Sequence, residues 1–277
     1  MCPTLVPPIL VKWSPPHRRP YRARRLASDP LVQETPDDGM MTRQTLILGS
    51  ERFRVGPWHA DPAIAYLALT PDVPRPSPDG LRRCLQRLAE DGYSSVITAA
   101  LHPDEAQGFL QSGFEEYDRL RVLSHPLIDL DPPRRDPDAG VRLRRARAAD
   151  HESALAVDRS AFTPFWRLDR DGLDEALGAT PRARFRAATR DGLIGYAVTG
   201  RAGAQGFLQR LAVDPHHAGA GVGSALVLDS LRWSRRRHAR RVLVNTQPDN
   251  HRALELYHRL GFETTPTDLL VLTRSVP

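Results

Sequence analysis

The second half of the chain alternates strand-like and helix-like hydrophobic patterns. Residues 141–147 alternate apolar and polar positions as a half-buried strand does, and helical spacing follows over 148–162. A short helix is expected over 172–177, then strands over 184–188, 193–198 and 206–213. Residues 221–237 form a long amphipathic pattern. Val222, Ala225, Leu226 and Trp233 supply its apolar face, and Leu228 and Leu231 broaden it. Residues 242–244 read as a buried strand. Residues 250–260 read as a second amphipathic helix, with Ala253, Leu256, Tyr257 and Leu260 on one side, and 269–272 as a closing strand. Strands joined by crossover helices predict an α/β sheet, mixed or largely parallel in its middle.

Two stretches break the pattern. Residues 1–40 hold eight prolines and an arginine-rich run over 18–25 without periodicity, which predicts a disordered tail. Its apolar patch, Leu5 to Val11, is interrupted by Pro7 and Pro8 and precedes its charges, the reverse of a secretory signal. Residues 131–140, DPPRRDPDAG, have a linker's composition. The expected organisation is therefore a tail (1–40), a first half (41–130), a linker (131–140) and a second half (141–277).

Composition removes several function classes. With 40% hydrophobic and 26% charged residues the chain can build a packed core. No window approaches the ~18 consecutive apolar residues of a membrane span, so no membrane partner is expected, and with only two cysteines a reducing cytoplasm is the expected compartment. Lys12 is the only lysine, which excludes a phosphate-loop lysine or a Schiff-base lysine in the folded body. Cys2 and Cys84 are too few for a disulfide framework, and His251 and His258 lack partners at metal spacing, so no metal is expected. The net charge of +6 rests on arginine alone in that body, and nucleic acid is not the expected partner.

The candidate chemistry centres on residues 211–224, LAVDPHHAGAGVGS. A strand ends at Asp214-Pro215, and Gly219, Gly221 and Gly223 lead into the long helix. Glycines there let backbone N–H groups converge on an anion, and the helix start adds its own free donors and the positive end of its dipole. A diphosphate suits such a corner. A dinucleotide turn would show GxGxxG and an acidic residue at the end of the next strand, where Asn245 stands instead. A flexible glycine turn without a ligand is the remaining reading.

At these residues the chain resembles the GNAT acetyltransferase superfamily. The acetyl-CoA loop of that family, Arg/Gln-x-x-Gly-x-Gly/Ala, maps to Ala218-x-x-Gly221-x-Gly223, with alanine in the lead position. A second signature maps to Asn250-x-x-Ala253-x-x-x-Tyr257 followed by Gly261-Phe262. The resemblance covers about 141–277. It implies a GNAT-like mixed sheet flanked by helices, open between the strands at 206–213 and 242–246. Pantetheine would lie along Leu211, Ala212 and Val213. The diphosphate would meet Ala218, Gly219, Ala220, Gly221, Val222, Gly223 and Ser224, with Asn250 fixing the cofactor from the second helix.

By the same resemblance Tyr257 is the general acid that protonates the departing thiolate. Its place on an apolar helix face equally suits a core tyrosine. The acceptor would lie near 158–177, where Phe165 and Trp166 offer an aromatic wall, with Asn245 close to the reacting groups. Related alanine acetyltransferases carry glutamate at that position, and an amide cannot take a proton. Asp169, Asp171 and Asp174 are other acidic candidates, and the base stays unassigned.

The first half echoes the second. Gly113-Phe114 precedes Gly261-Phe262 by 148 positions, and Leu67–Pro71 precedes Leu211–Pro215 by 144. Prolines and aspartates replace the glycine corner, Phe109 stands for the tyrosine, and there is no room for the early strand and helices. The expectation is a partial, structural GNAT-like half, as in the tandem mycothiol synthases. The implied activity is acetyl transfer from acetyl-CoA to a primary amine, of a small molecule or a protein, in a ternary complex. A CoA-binding module without turnover is the alternative. The basic run over 232–241 reads as a solvated helix end, with nucleic acid or the 3′-phosphate of CoA as other readings.

Overall fold

The computed structural model describes residues 43–59, 61–70, 75–128, 130 and 140–277. The expected tail and nearly all of the expected linker lie outside the described residues.

The first half contributes three strands, β1 (Gln44–Leu48), β2 (Glu51–Trp58) and β3 (Asp61–Leu69). Helix α1 (Pro78–Glu90), β4 (Ser95–Thr98), α2 (Pro103–Gln111) and β5 (Glu115–His125) follow. The second half opens with β6 (Arg142–Arg145), α3 (His151–Ala161) and α4 (Arg170–Gly178). Next come β7 (Arg182–Thr189), β8 (Leu193–Ala202), β9 (Gln205–Val213), α5 (Val222–Arg236) and β10 (Arg241–Thr246). Helix α6 (His251–Arg259), β11 (Glu263–Thr264) and β12 (Leu269–Ser275) complete it. Every element read from the hydrophobic pattern is present, with ends moved by a few residues.

The strands form one mixed sheet in the order β1-β2-β3-β4-β12-β5-β10-β9-β8-β7-β6. The two halves exchange their last strands. β12 lies between β4 and β5, and β5 runs antiparallel to β10 from Thr246↔Arg121 to Val242↔His125. A core cluster on one sheet face accordingly draws on both halves, from Trp58, Tyr66 and Leu120 to Leu155, Trp166 and Tyr196. On the opposite face α1 and α2 cover one cluster, around Phe53, Leu88 and Phe109. Helices α5 and α6 cover another, around Leu226, Val244 and Phe262.

The internal echo is structural as well. The Phe114 amide bonds the Phe109 carbonyl at 3.1 Å as the Phe262 amide bonds that of Tyr257 at 3.0 Å. The ring centroids are 5.1 and 5.4 Å apart, respectively. No helix precedes β3 in the described part of the first half, in line with the missing room. One difference governs chemistry. The parallel β3–β4 ladder runs to Leu67↔Thr98 and is extended by a 2.8 Å bond from the Ala99 amide to the Leu67 carbonyl. The corresponding second-half ladder stops four residues earlier, counted by the 144-residue offset.

Candidate active site

The parallel pair β9 and β10 is joined only at Arg241↔Gln205, Val242↔Gly206 and Leu243↔Phe207. Beyond Phe207 the two strands part. Each stays fixed on its outer side, β9 to β8 as far as Gly195↔Val213 and β10 to β5 as far as Thr246↔Arg121. The cause of the parting is local. The β8–β9 register passes from Leu208↔Thr199 to Arg210↔Val198, so Gln209 is an extra, unpaired residue. Such a bulge bends its strand, and this one bends β9 where it leaves β10. Leu211, Ala212 and Val213 therefore border an opening whose other wall is Val244 to Thr246.

The glycine corner stands at the wide end of that opening. Gly219 (φ 82°) and Gly221 (φ 79°) adopt the left-handed conformation that residues with a Cβ disfavour. A Cβ on Gly219 would meet nothing within 4 Å, so the corner is open to an incoming group. Ala218 and Ala220 do not serve as donors. Their amides bond the carbonyls of Pro215 (3.1 Å) and His217 (3.4 Å) within a tight turn. The amides of Gly219, Gly221, Val222, Gly223 and Ser224 have no acceptor among the described residues, as expected for the first turn of α5. The corner thus offers converging N–H donors at the positive end of a 15-residue helix, which fits a diphosphate.

Asn250 caps α6. Its Oδ1 accepts from the Ala253 amide at 3.2 Å, and its Nδ2 donates to the Thr246 hydroxyl at 3.0 Å. This cap starts α6 directly after β10 and so places Tyr257 two turns on. Tyr257 is buried against Phe262, and burial raises its phenol well above the ordinary tyrosine range. Its hydroxyl has no hydrogen-bond partner among the described residues, unlike that of Tyr196, which donates to Asp158 at 2.5 Å. Asn245 is buried on β10, and its Oδ1 is unpaired.

Phe165 and Trp166 belong to a wall built by both halves. Trp58, from the β2–β3 hairpin, donates its indole N–H to the Phe165 carbonyl at 3.1 Å. Its ring lies 5.3 Å from Phe165 and 5.7 Å from Trp166. Tyr117 of β5 approaches Phe165 to 4.6 Å. A second bulge aims it, because the β5–β12 register steps from Asp118↔Val271 to Glu116↔Leu272 and leaves Tyr117 extra. Asp118, on the same bulge, accepts a hydrogen bond from Gln247 just beyond β10, and burial raises its carboxyl above the usual range. Of the other acidic candidates, Asp169 caps α4 by accepting from the Gly172 amide at 2.7 Å, and Asp174 pairs with Arg170 at 3.0 Å.

Beneath the wall lies a fully buried ion pair. Arg210, on the bulged part of β9, binds Asp158 of α3 through Nη2 at 2.6 Å and Nε at 2.7 Å, and it also donates to the Trp166 carbonyl at 3.0 Å. His59, at the hairpin tip with φ 42°, is lowered to about 3, chiefly by burial and further by Arg43 and Arg210. It is therefore a neutral imidazole. Arg43 covers the Tyr66 ring at 3.6 Å and pairs with Glu175 of α4, which fastens the first half to that helix of the second.

Residues 150–262 match the acetyltransferase (GNAT) family model. The chain is 31% identical over 257 residues to a mycothiol acetyltransferase of Geodermatophilus obscurus, covering 86% of this chain and 80% of that protein. The chain belongs to the GNAT family. A mycothiol acetyltransferase of Saccharomonospora viridis is 30% identical over 187 residues, which cover 61% of this chain and only 60% of that protein. Among solved structures, a tandem GNAT protein from the clavulanic acid biosynthesis pathway superposes with a TM-score of 0.62 at 18% identity, covering 82% and 79% of the two chains. That likeness is one of fold. The GNAT matches do not by themselves point to Trp58, Tyr117, Asp118, Asp158 or Arg210. Trp58, Tyr117 and Asp118 lie in the first half, before residues 150–262 of the family model, and the strand exchange brings β5, with Tyr117 and Asp118, beside the second half.

Proposed function

We propose that this chain transfers an acetyl group from acetyl-CoA to the primary amine of a small molecule, by direct attack, with acetyl-CoA bound in the second half and the amine held between the two halves. The observation that carries the reading is the parting of β9 from β10 beside a corner of free backbone donors, with an unbonded Tyr257 hydroxyl on α6. In this reading the corner holds the CoA diphosphate, and pantetheine lies along Leu211 to Val213 as an added strand. A backbone N–H of the parted β9 segment stabilises the oxyanion formed as the amine attacks. Tyr257, protonated before the reaction because burial raises its phenol, gives its proton to the thiolate as the C–S bond breaks, and the proton shed by the attacking nitrogen as the amide forms restores the phenol.

The acceptor enters over the aromatic wall. Trp58 and Tyr117 come from the first half and restrict this side, which favours a small molecule over a protein terminus. A primary ammonium is well received there, between aromatic faces and the Asp118 carboxylate. The name of the relatives, mycothiol acetyltransferase, supports the same class, a small thiol-precursor amine. The closed β3–β4 ladder supports a structural role for the first half. Asn245, an amide where a base would be useful, favours a second reading, a CoA-binding module without turnover.

Release of CoA thiol across a panel of small primary amines tests both. Saturable turnover that falls in Tyr257→Phe is the expected result. Tight acetyl-CoA binding with no turnover on any amine would favour the second reading.

A further inference from the structure

The end of the sheet opposite the opening holds a cavity of about 860 Å³. Arg145, Arg147, Arg182, Arg184, Arg186 and Arg237 line it, and no aspartate or glutamate does. Asp229 of α5 binds two of them, with contacts of 3.0 Å to Arg184 and 3.0 Å to Arg186. Arg145, Arg147, Arg182 and Arg237 are exposed; Asp150 attracts Arg147, while Arg145, Arg182 and Arg237 belong to no ion pair among the described residues. Positive charge in this concavity is thus largely uncompensated by the protein. Arg184 is lowered by burial and by repulsion from Arg186 and Arg236, a load that a bound anion would relieve.

Strand lengths create the concavity. β6 has four residues and ends at Arg145↔Arg186, whereas β7 begins at Arg182. The first residues of β7 therefore lack an outer strand, apart from a 3.0 Å bond from the Ala146 amide to the Phe185 carbonyl. Strand alternation turns the Ala183 amide to the same open edge. Phe185 and Trp233 add apolar surface.

This site is separate from the glycine corner. Arg237 lies at the far end of α5 from Gly221, about 24 Å away at 1.5 Å per residue. The lining of the cavity by Arg237 also gives one member of the basic run over 232–241 a place that the CoA corner does not.

We infer that the cavity is an oligophosphate-binding site, for a ligand carrying two or three adjoining phosphates, either free or borne on a nucleoside. Guanidinium forks match phosphate oxygens in pairs, and several forks around one hollow match several phosphates. The volume is that of a small-ligand site, within the range of about 300–1,000 Å³, and a hollow selects a compact polyanion over a flat macromolecular surface.

Calorimetric titration of the full chain with inorganic tripolyphosphate and with ATP, each with and without saturating acetyl-CoA, tests the inference. Saturating acetyl-CoA fills the glycine corner, which could itself take a diphosphate, so the arms with acetyl-CoA read the cavity alone, and one site is expected there. Tighter binding of ATP would indicate the nucleoside-borne form, and equal binding the free form. Arg182→Ser with Arg237→Ser should weaken both ligands at least 10-fold while leaving the melting temperature and the acetyl-CoA affinity unchanged. Arg145→Ser with Arg147→Ser should do the same and stands in if the first pair misfolds. No binding at millimolar ligand, binding indifferent to both pairs, loss of binding under acetyl-CoA, or binding of single-stranded RNA alone would overturn it.

Discussion

Replacing Asp158 by alanine strands Arg210 inside the core. Neither side chain has any solvent exposure. The carboxylate accepts from Arg210 at 2.6 and 2.7 Å, from the Tyr196 hydroxyl at 2.5 Å and from the Leu168 amide at 2.8 Å. Its removal leaves a buried guanidinium with only the Trp166 carbonyl and the face of Phe162, 3.5 Å away. Breaking a buried pair in this way costs about 3–5 kcal/mol, a large part of a typical domain stability of about 5–15 kcal/mol. Urea unfolding followed by circular dichroism should show the loss as a lower midpoint at unchanged slope. The double variant Asp158→Leu with Arg210→Met should recover most of it, because two apolar groups of similar size leave no charge stranded. In Asp158→Ala the Trp166–Leu168 segment also loses the anchor at the Leu168 amide, so the acceptor KM should rise in that variant more than the acetyl-CoA affinity falls. A loss below about 1 kcal/mol in Asp158→Ala would refute the reasoning, since it would mean that water reaches the pair.

Other expectations can be checked separately. Tyr257→Phe keeps the packing and removes the proton donor, so kcat should fall about 10²-fold or more with acetyl-CoA binding intact. Unchanged kcat in steady-state assays would remove Tyr257 from the chemistry. Trp58→Ala and Asp118→Asn should each raise the amine KM, by about 10-fold for the charge, with little effect on acetyl-CoA affinity measured by calorimetry. Asp150 is lowered to about 2, first by its hydrogen bonds to Arg144 and then by the Arg147 amide. Its contribution is complete above about pH 4, where the unfolded carboxyl is also ionised, and is lost as pH falls through 2. Arg144 is exposed, so the contribution is about 1 kcal/mol, and Asp150→Asn should flatten the acid limb of the stability profile in that window.

Local patterns in the sequence announced local structure well. Helix α5 follows its glycine corner, and α6 its Asn250 cap, because short-range backbone bonding fixes both. The bulges at Gln209 and Tyr117 left no such trace. Each is an extra residue relative to a partner strand that lies far away in the chain, so register alone reveals it. The exchange of β5 and β12 is equally non-local. Its result, Trp58 and Tyr117 standing over Phe165, depends on which strand edge each half leaves free. Arg210 also looked unremarkable, one arginine among many. Its meaning comes from Asp158, which sits 52 positions earlier on a different element. The motif also gives positions but not the direction of each N–H, so the inward bonds of the Ala218 and Ala220 amides show only in the fold.

Diffraction from crystals of the full chain soaked with acetyl-CoA tests the placement of the donor most directly. Density for the diphosphate should rest on the amides of Gly219 and Gly221–Ser224, with pantetheine between Leu211–Val213 and Val244–Thr246 and the thioester near the Tyr257 hydroxyl. Acetyl-CoA bound elsewhere, or an opening filled by side chains at millimolar donor, would contradict it.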